Sequence, residues 1–148
     1  MREDMKILVI HGPNLNVLGK RNPSIYGGKS LGEINKLIEK KAKELGFEVE
    51  IFQSNFEGDI VEKIHSAIDL EYHGIIINPA AFSHYSIAIR DAIEILEIPV
   101  IEVHLSNVFA REDFRSKSVI APVCSGQITG LGLNSYLVAM DALKLMIK

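Results

Sequence analysis

The sequence has one cysteine, no tryptophan and no excess of cationic side chains. A single thiol cannot close an internal disulfide, so the composition suits a reducing compartment. With 16 Lys and Arg against 19 Asp and Glu, the formal net charge is −3. That argues against a general nucleic-acid binder, which needs a basic stripe to displace phosphate counterions. Long apolar runs are missing too. Only Ile7 to Ile10 separate Lys6 from His11, whereas a signal h-region needs about 7–15 apolar residues and a membrane span about 20. The expectation is a cytoplasmic protein with neither a membrane nor a nucleic-acid partner. Repeats, linkers and low-complexity stretches are also lacking. At 148 residues, 47% of them hydrophobic, one domain can bury roughly 70% of its unfolded surface without metal or disulfide staples. Residues 6–148 are read as that domain, and residues 1–5, which carry no pattern, as an N-terminal extension free to be disordered.

What is present is an alternation of short apolar runs with helical patterns. Lys6 to Ile10, Glu48 to Phe52, Gly74 to Ile77, Pro99 to Val103 and Ser118 to Val123 read as strands. They are rich in Ile and Val, and several are apolar throughout, as strands covered on both faces should be. Ser30 to Leu45, Gly58 to Tyr72, Ser86 to Leu96 and Leu133 to Ile147 read as helices. The first has the clearest stripe (Leu31, Ile34, Ile38, Ala42, Leu45). Ser30 and Glu33 form a capping-box signature at its start, and Gly46 stands where a terminating glycine belongs. Arg111 to Arg115 is short and charged, a single turn or a loop. Five strands alternating with helices predict an α/β fold with a parallel sheet and right-handed crossovers. At this length the leading topology is a flavodoxin-like, doubly wound, five-stranded sheet with helices on both faces. Such sheets bind ligands beyond the carboxyl ends of their strands.

Polar residues concentrate at those ends: His11-Gly12-Pro13-Asn14, Gln53-Ser54-Asn55, Asn78-Pro79 with Ser83-His84 following, and His104-Leu105-Ser106-Asn107. Any one Asn or Ser is ordinarily a turn former or cap, but agreement among several ends points to a shared cleft. Strand four is the most specific. Glu102 and His104 are two residues apart and share a strand face. A carboxylate in an apolar strand is costly unless paired, and beside a histidine it fixes the tautomer and favours a proton donor near neutral pH. The segment Leu15 to Lys29 is long for a connection, and such loops are usually functional. It carries Gly19, Gly27 and Gly28 as hinge candidates, with Arg21 and Tyr26 between them. A guanidinium beside a phenol favours the phenolate, so this pair can supply a general base, although a Tyr beside Gly is more often a packing residue. Arg111 and Arg115 suit a carboxylate or phosphate, or equally a solvated turn paired with Glu112 or Asp113. Cys124 reads as a core or cleft-wall residue rather than a nucleophile.

Taken together these stretches resemble the type II 3-dehydroquinate dehydratases. The likeness runs from about Lys6 to the C-terminus. Its motifs are His11-Gly-Pro-Asn-Leu-Asn-Val-Leu-Gly19, Arg21-Asn-Pro-Ser-Ile-Tyr-Gly27, Gln53-Ser-Asn, Asn78-Pro, Glu102-Val-His-Leu-Ser-Asn107, Arg111-Glu-Asp-Phe-Arg115 and Gly130-Leu-Gly132. The resemblance implies anti elimination of water from 3-dehydroquinate to give 3-dehydroshikimate through an enolate, in the shikimate pathway, with no cofactor, metal or Schiff base. By that likeness Tyr26 is the base that removes the C2 proton and Arg21 the lid arginine that stabilises developing charge. Asn14 holds the water that stabilises the enolate. His104, oriented by Glu102, protonates the leaving C1 hydroxyl. Asn78, His84, Leu105 (through its backbone), Ser106 and Arg115 resemble the substrate-binding set, with Arg111 in support. Asp91 matches an aspartate that reaches the substrate from a neighbouring subunit, and the implied assembly is a homododecamer, a tetramer of trimers. After Asn-Pro, where the family commonly has Gly, a Tyr equivalent and Thr, this chain has Ala80, Ala81, Phe82 and Ser83.

Rival readings fit less well. A nucleotide or flavin module predicts a G-x-G-x-x-G loop after strand one, which Gly12-Pro13-Asn14 does not supply. A phospho-receiver needs acidic residues where Asn14 and Asn78 stand, and a serine hydrolase needs G-x-S-x-G. A metal-dependent lyase built on His11, His84, Glu102 and His104 lacks a short-spaced His pair, and an inactive interaction protein would not need Arg21, Tyr26 and His104 together.

Overall fold

A computed structural model of the chain describes residues 5–147. Its sheet contains β1 (Met5–His11), β2 (Phe47–Gln53), β3 (Gly74–Asn78), β4 (Val100–His104) and β5 (Gly126–Thr129) in the order β2-β1-β3-β4-β5. All four pairings are parallel. This is the flavodoxin-like, doubly wound order, with its switch point between β1 and β3. The helices are α1 (Pro23–Tyr26), α2 (Leu31–Leu45), α3 (Glu57–Asp69), α4 (Ile87–Glu94) and α5 (Asn134–Met146). Among the described residues, no helix is long and apolar enough to cross a membrane.

Strict alternation along the central strands creates two cores. Ile7, Val9, Ile76, Ile101 and Val103 face α2 and α5, where Ile34, Ile38, Ala139, Met140 and Leu143 cover them. Leu8, Ile10, Ile75, Ile77 and Val100 face α3 and α4, meeting Ile60, Ile64, Ile89 and Ile93. Truncating any of these isoleucines to Ala costs about 2–5 kcal/mol. Helix α2 starts and stops as its sequence predicts. Ser30 Oγ accepts from Glu33 N at 3.2 Å, Glu33 Oε1 accepts from Ser30 N at 3.2 Å, and Gly46 ends the helix at φ 76°.

Three expectations need correction. Met5, assigned to the extension, opens β1, pairing with Phe47; residues 1–4 lie outside the described residues. The run Ser118 to Val123 is not a strand. Ser118 Oγ accepts from the backbone N–H groups of Ile120 and Ala121, a local bond that competes with any ladder. Pro122 then has no N–H to offer one, and the chain makes a 3-10 turn at Ala121–Val123. Fully buried Ile120 explains the strand-like appearance. The true β5, Gly126–Thr129, is short and half polar, as an edge strand can afford to be. The segment from Leu15 to Lys29 is also not a bare loop. It folds as a 3-10 turn, Leu15–Lys20, followed by α1, and buries Leu15, Leu18 and Tyr26 against the sheet's α2/α5 side.

Candidate active site

The carboxyl ends of β1, β3 and β4 open into one cleft of about 610 Å³, its mouth included. Asn14, Arg21, Tyr26, Asn78, His84, His104, Leu105, Ser106, Arg111 and Arg115 all line it. Glu102 lies behind His104, and Asp91, exposed on α4, does not line this cleft.

The loop after β1 takes its shape from close backbone approach. A Cβ on Gly12 would sit 2.7 Å from the carbonyl of Pro79, and Gly12 N donates to Asn78 O at 2.7 Å. Only glycine lets the two strand ends meet this closely. The next turn places Asn14 in the left-handed region at φ 68°, which asparagine tolerates. The end of β2 braces it: Asn55 Oδ1 accepts from Asn14 N at 2.9 Å and from Gln53 Nε2 at 3.2 Å, and Gln53 also donates to Gly12 O.

On one wall, Arg21 Nη2 donates to Tyr26 Oη at 2.5 Å, and its guanidinium carbon lies 4.0 Å from the phenol ring centroid. The Arg111 guanidinium lies 5.1 Å from the same ring and donates to Ser106 Oγ at 3.2 Å. Two guanidinium groups thus flank one phenol. Arg115 donates through Nε to Glu112 at 3.0 Å, the local pairing that the sequence allowed, while still lining the cleft.

On another wall, Glu102 and His104 share a face of β4 and meet at 2.5 Å, Oε2 to Nε2. Glu102 is fully buried, and its desolvation is offset by two further donors. Ser118 Oγ donates to Oε1 at 2.8 Å and Gln127 Nε2 to Oε2 at 3.1 Å. Gln127 is the register neighbour of Glu102 on β5. With Nε2 engaged, Nδ1 is the nitrogen that His104 has left for the cleft. His84 stacks beside it, ring centroids 6.5 Å apart, and donates from Nδ1 to Lys117 O at 2.8 Å. Cys124 lies outside the cleft, and burial pushes its thiol up to about 12, so it is no nucleophile at neutral pH.

Asn78 closes the floor. Its Oδ1 accepts from Ala80 N at 3.1 Å and its Nδ2 donates to Tyr136 Oη at 3.0 Å. His11 lies on the same sheet face, with Nδ1 2.8 Å from Tyr136 Oη and Nε2 2.8 Å from Asn35 Oδ1. Both of its nitrogens are thus committed, away from the face that carries Glu102 and His104. Tyr136, Asn35, Ser118 and Gln127 were not singled out by the sequence reading. Their partners are remote in the chain, and only the period-two placement of His11 after Ile7 and Val9 hints at such a contact.

The sequence matches the Dehydroquinase class II family over residues 5–144. It is 60% identical over 139 residues to a 3-dehydroquinate dehydratase of Caldicellulosiruptor bescii, covering 94% of this chain and 96% of that one. It is 57% identical over 144 residues to the enzyme of the same name from Clostridium perfringens, covering 97% and 100%. The fold is similar to the crystal structure of a type II dehydroquinase from Butyrivibrio crossotus, with a TM-score of 0.93 and 51% identity over 95% of this chain and 97% of that one. With the family's motifs gathered at one cleft and likeness over nearly the whole length, this chain belongs to the class II dehydroquinases.

Proposed function

We propose that the cleft dehydrates 3-dehydroquinate to 3-dehydroshikimate by anti elimination. The observation that carries this reading is the pairing of a cation-flanked phenol, Tyr26 with Arg21, and a carboxylate-backed imidazole, His104 with Glu102, around one cleft. Tyr26, as phenolate, takes the C2 proton. The C–H electron pair becomes an enolate with its charge on the C3 oxygen, near which Asn14 would hold a water. The pair then forms the C1–C2 double bond as the C1–O bond breaks, and water leaves with a proton from His104. A doubly protonated His104 can give Nε2–H to Glu102 and keep Nδ1–H for the hydroxyl. Arg115, Ser106, the Leu105 backbone and Asn78 supply donors for the substrate's carboxylate and hydroxyls, and His84, whose Nδ1–H is given to Lys117 O, offers Nε2 as an acceptor to a hydroxyl. No step requires a metal or a Schiff base.

The same reading assigns the chain from Met5 onward to one catalytic domain, in the cytoplasm and the shikimate pathway. It makes the enzyme a dodecamer in which Asp91, exposed and away from its own chain's cleft, completes a neighbour's site. The test is ultraviolet absorbance after mixing with 3-dehydroquinate, because the conjugated enone product absorbs where the substrate does not. Signal growth indifferent to chelator and to borohydride is expected. A folded, assembled protein that yields none refutes the proposal. Sedimentation of the wild type tests the assembly, and an active monomer would remove Asp91 from the site.

A further inference from the structure

Beneath the cleft floor runs a buried chain of polar groups whose donors and acceptors have only one consistent order. Asn35 Oδ1 accepts from His11 Nε2, which leaves His11 Nδ1 as an acceptor. The Tyr136 hydroxyl therefore donates to Nδ1, and its oxygen must accept from Asn78 Nδ2. Rotating the Asn78 amide by half a turn would set its oxygen against the oxygen of Tyr136. It would also set its NH₂ against the N–H of Ala80, which now donates to Asn78 Oδ1. Both ends thus lock the amide. The lock is buried, with His11, Asn78 and Tyr136 at 0%, 2% and 1% exposure, so water cannot stand in for a lost partner cheaply.

We infer that Tyr136, held by His11, is a positioning residue that presents the second N–H of Asn78 to the substrate. Tyr136 itself does not line the cleft and acts through Asn78. Burial keeps the system in one protonation state: it pushes the Tyr136 hydroxyl up and lowers His11 to about 4, so near neutral pH the phenol stays a donor and the imidazole an acceptor. The inference rests on the reading of this cleft as a 3-dehydroquinate site.

Tyr136→Phe keeps the ring and removes only the oxygen. We expect KM for 3-dehydroquinate to rise about tenfold while kcat changes less than about threefold, the pattern of lost uniform binding. Asn78→Ala should raise KM at least as much, and Tyr136→Phe with Asn78→Ala should be no worse than Asn78→Ala alone. His11→Ala frees the hydroxyl to turn toward Asn78 and should reproduce the KM effect with both other side chains present; it also serves if Tyr136→Phe does not fold. A merely structural role would lower thermal stability in each variant while leaving KM at the wild-type value, and that result overturns the inference. An inactive wild type would instead sink the reading of the reaction. In that case crystal structures of wild type and Tyr136→Phe decide separately: an Asn78 amide unchanged in orientation and order overturns the positioning role.

Discussion

His11 makes acid stability a quantitative test of the packing beneath the cleft. Its imidazole is fully buried, and desolvation lowers it from 6.5 to about 4 although the Asn35 bond opposes this. The unfolded chain therefore binds a proton through the window from about pH 6.5 to 4 that the native protein refuses. Stability is then complete above pH 6.5 and falls as pH drops toward the folded value. A gap of about 2.5 units amounts to ~3 kcal/mol at completion, of which ~2 kcal/mol is already lost by pH 5. Urea unfolding at one fixed protein concentration, at pH 7, 6, 5 and 4.5, measures the decline. His11→Gln offers a donor and an acceptor with no titration, so it should start less stable yet decline more shallowly, by about 2 kcal/mol between pH 7 and 5. The carboxyls of Glu33, Glu50 and Glu112 are also held low, by bonds to Ser30, Lys63 and Arg115. They lose stability only at more acid pH, below the ordinary carboxylate value, and do so equally in both proteins. Parallel declines for wild type and His11→Gln would refute the claim that His11 is neutral and desolvated.

Three further perturbations probe the site and its frame. Tyr26→Phe should lower turnover at least ~100-fold while leaving the assembly seen by sedimentation intact; activity within a few-fold of wild type would remove Tyr26 as the base. Arg21→Ala should lower kcat ~100-fold with a much smaller rise in KM, because its charge matters most in the transition state, and steady-state kinetics showing only a KM defect would contradict this. Ala80 holds φ 51°, where a Cβ is strained. Ala80→Gly should raise unfolding free energy by about 1 kcal/mol, and a loss of stability in urea would mean that the turn is not strained.

The fold was legible wherever one local rule decided it. Isoleucine-rich runs could only be strands covered on both faces, and Ser30 with Glu33 could only start a helix. The fifth strand was misplaced because Ile120 is as buried as any strand residue, so hydrophobicity pointed to the wrong run. Pro122 and the Ser118 hydroxyl, which break the ladder there, outweigh it physically. The Glu102 and His104 pair was legible because residues two apart on a strand must share a face, whereas its other partners were not. Ser118 comes from the misread run and Gln127 from the edge strand beyond it. The Tyr136 network was the least visible, since its bonds to Asn78 and His11 span 58 and 125 positions. Even so, the alternation that buries Ile7 and Val9 carries His11 onto the α2/α5 face, and the same period in β3 carries Asn78 there after Ile76. Two polar side chains at adjacent ends of buried strand faces each need a partner, but backbone, loop or strand can supply one as well as a helix, as the bonds from Ala80 N to Asn78 and from Gln127 to Glu102 show. The pattern therefore requires partners without naming them, and only the packing of α2 and α5 decides that they are Asn35 and Tyr136.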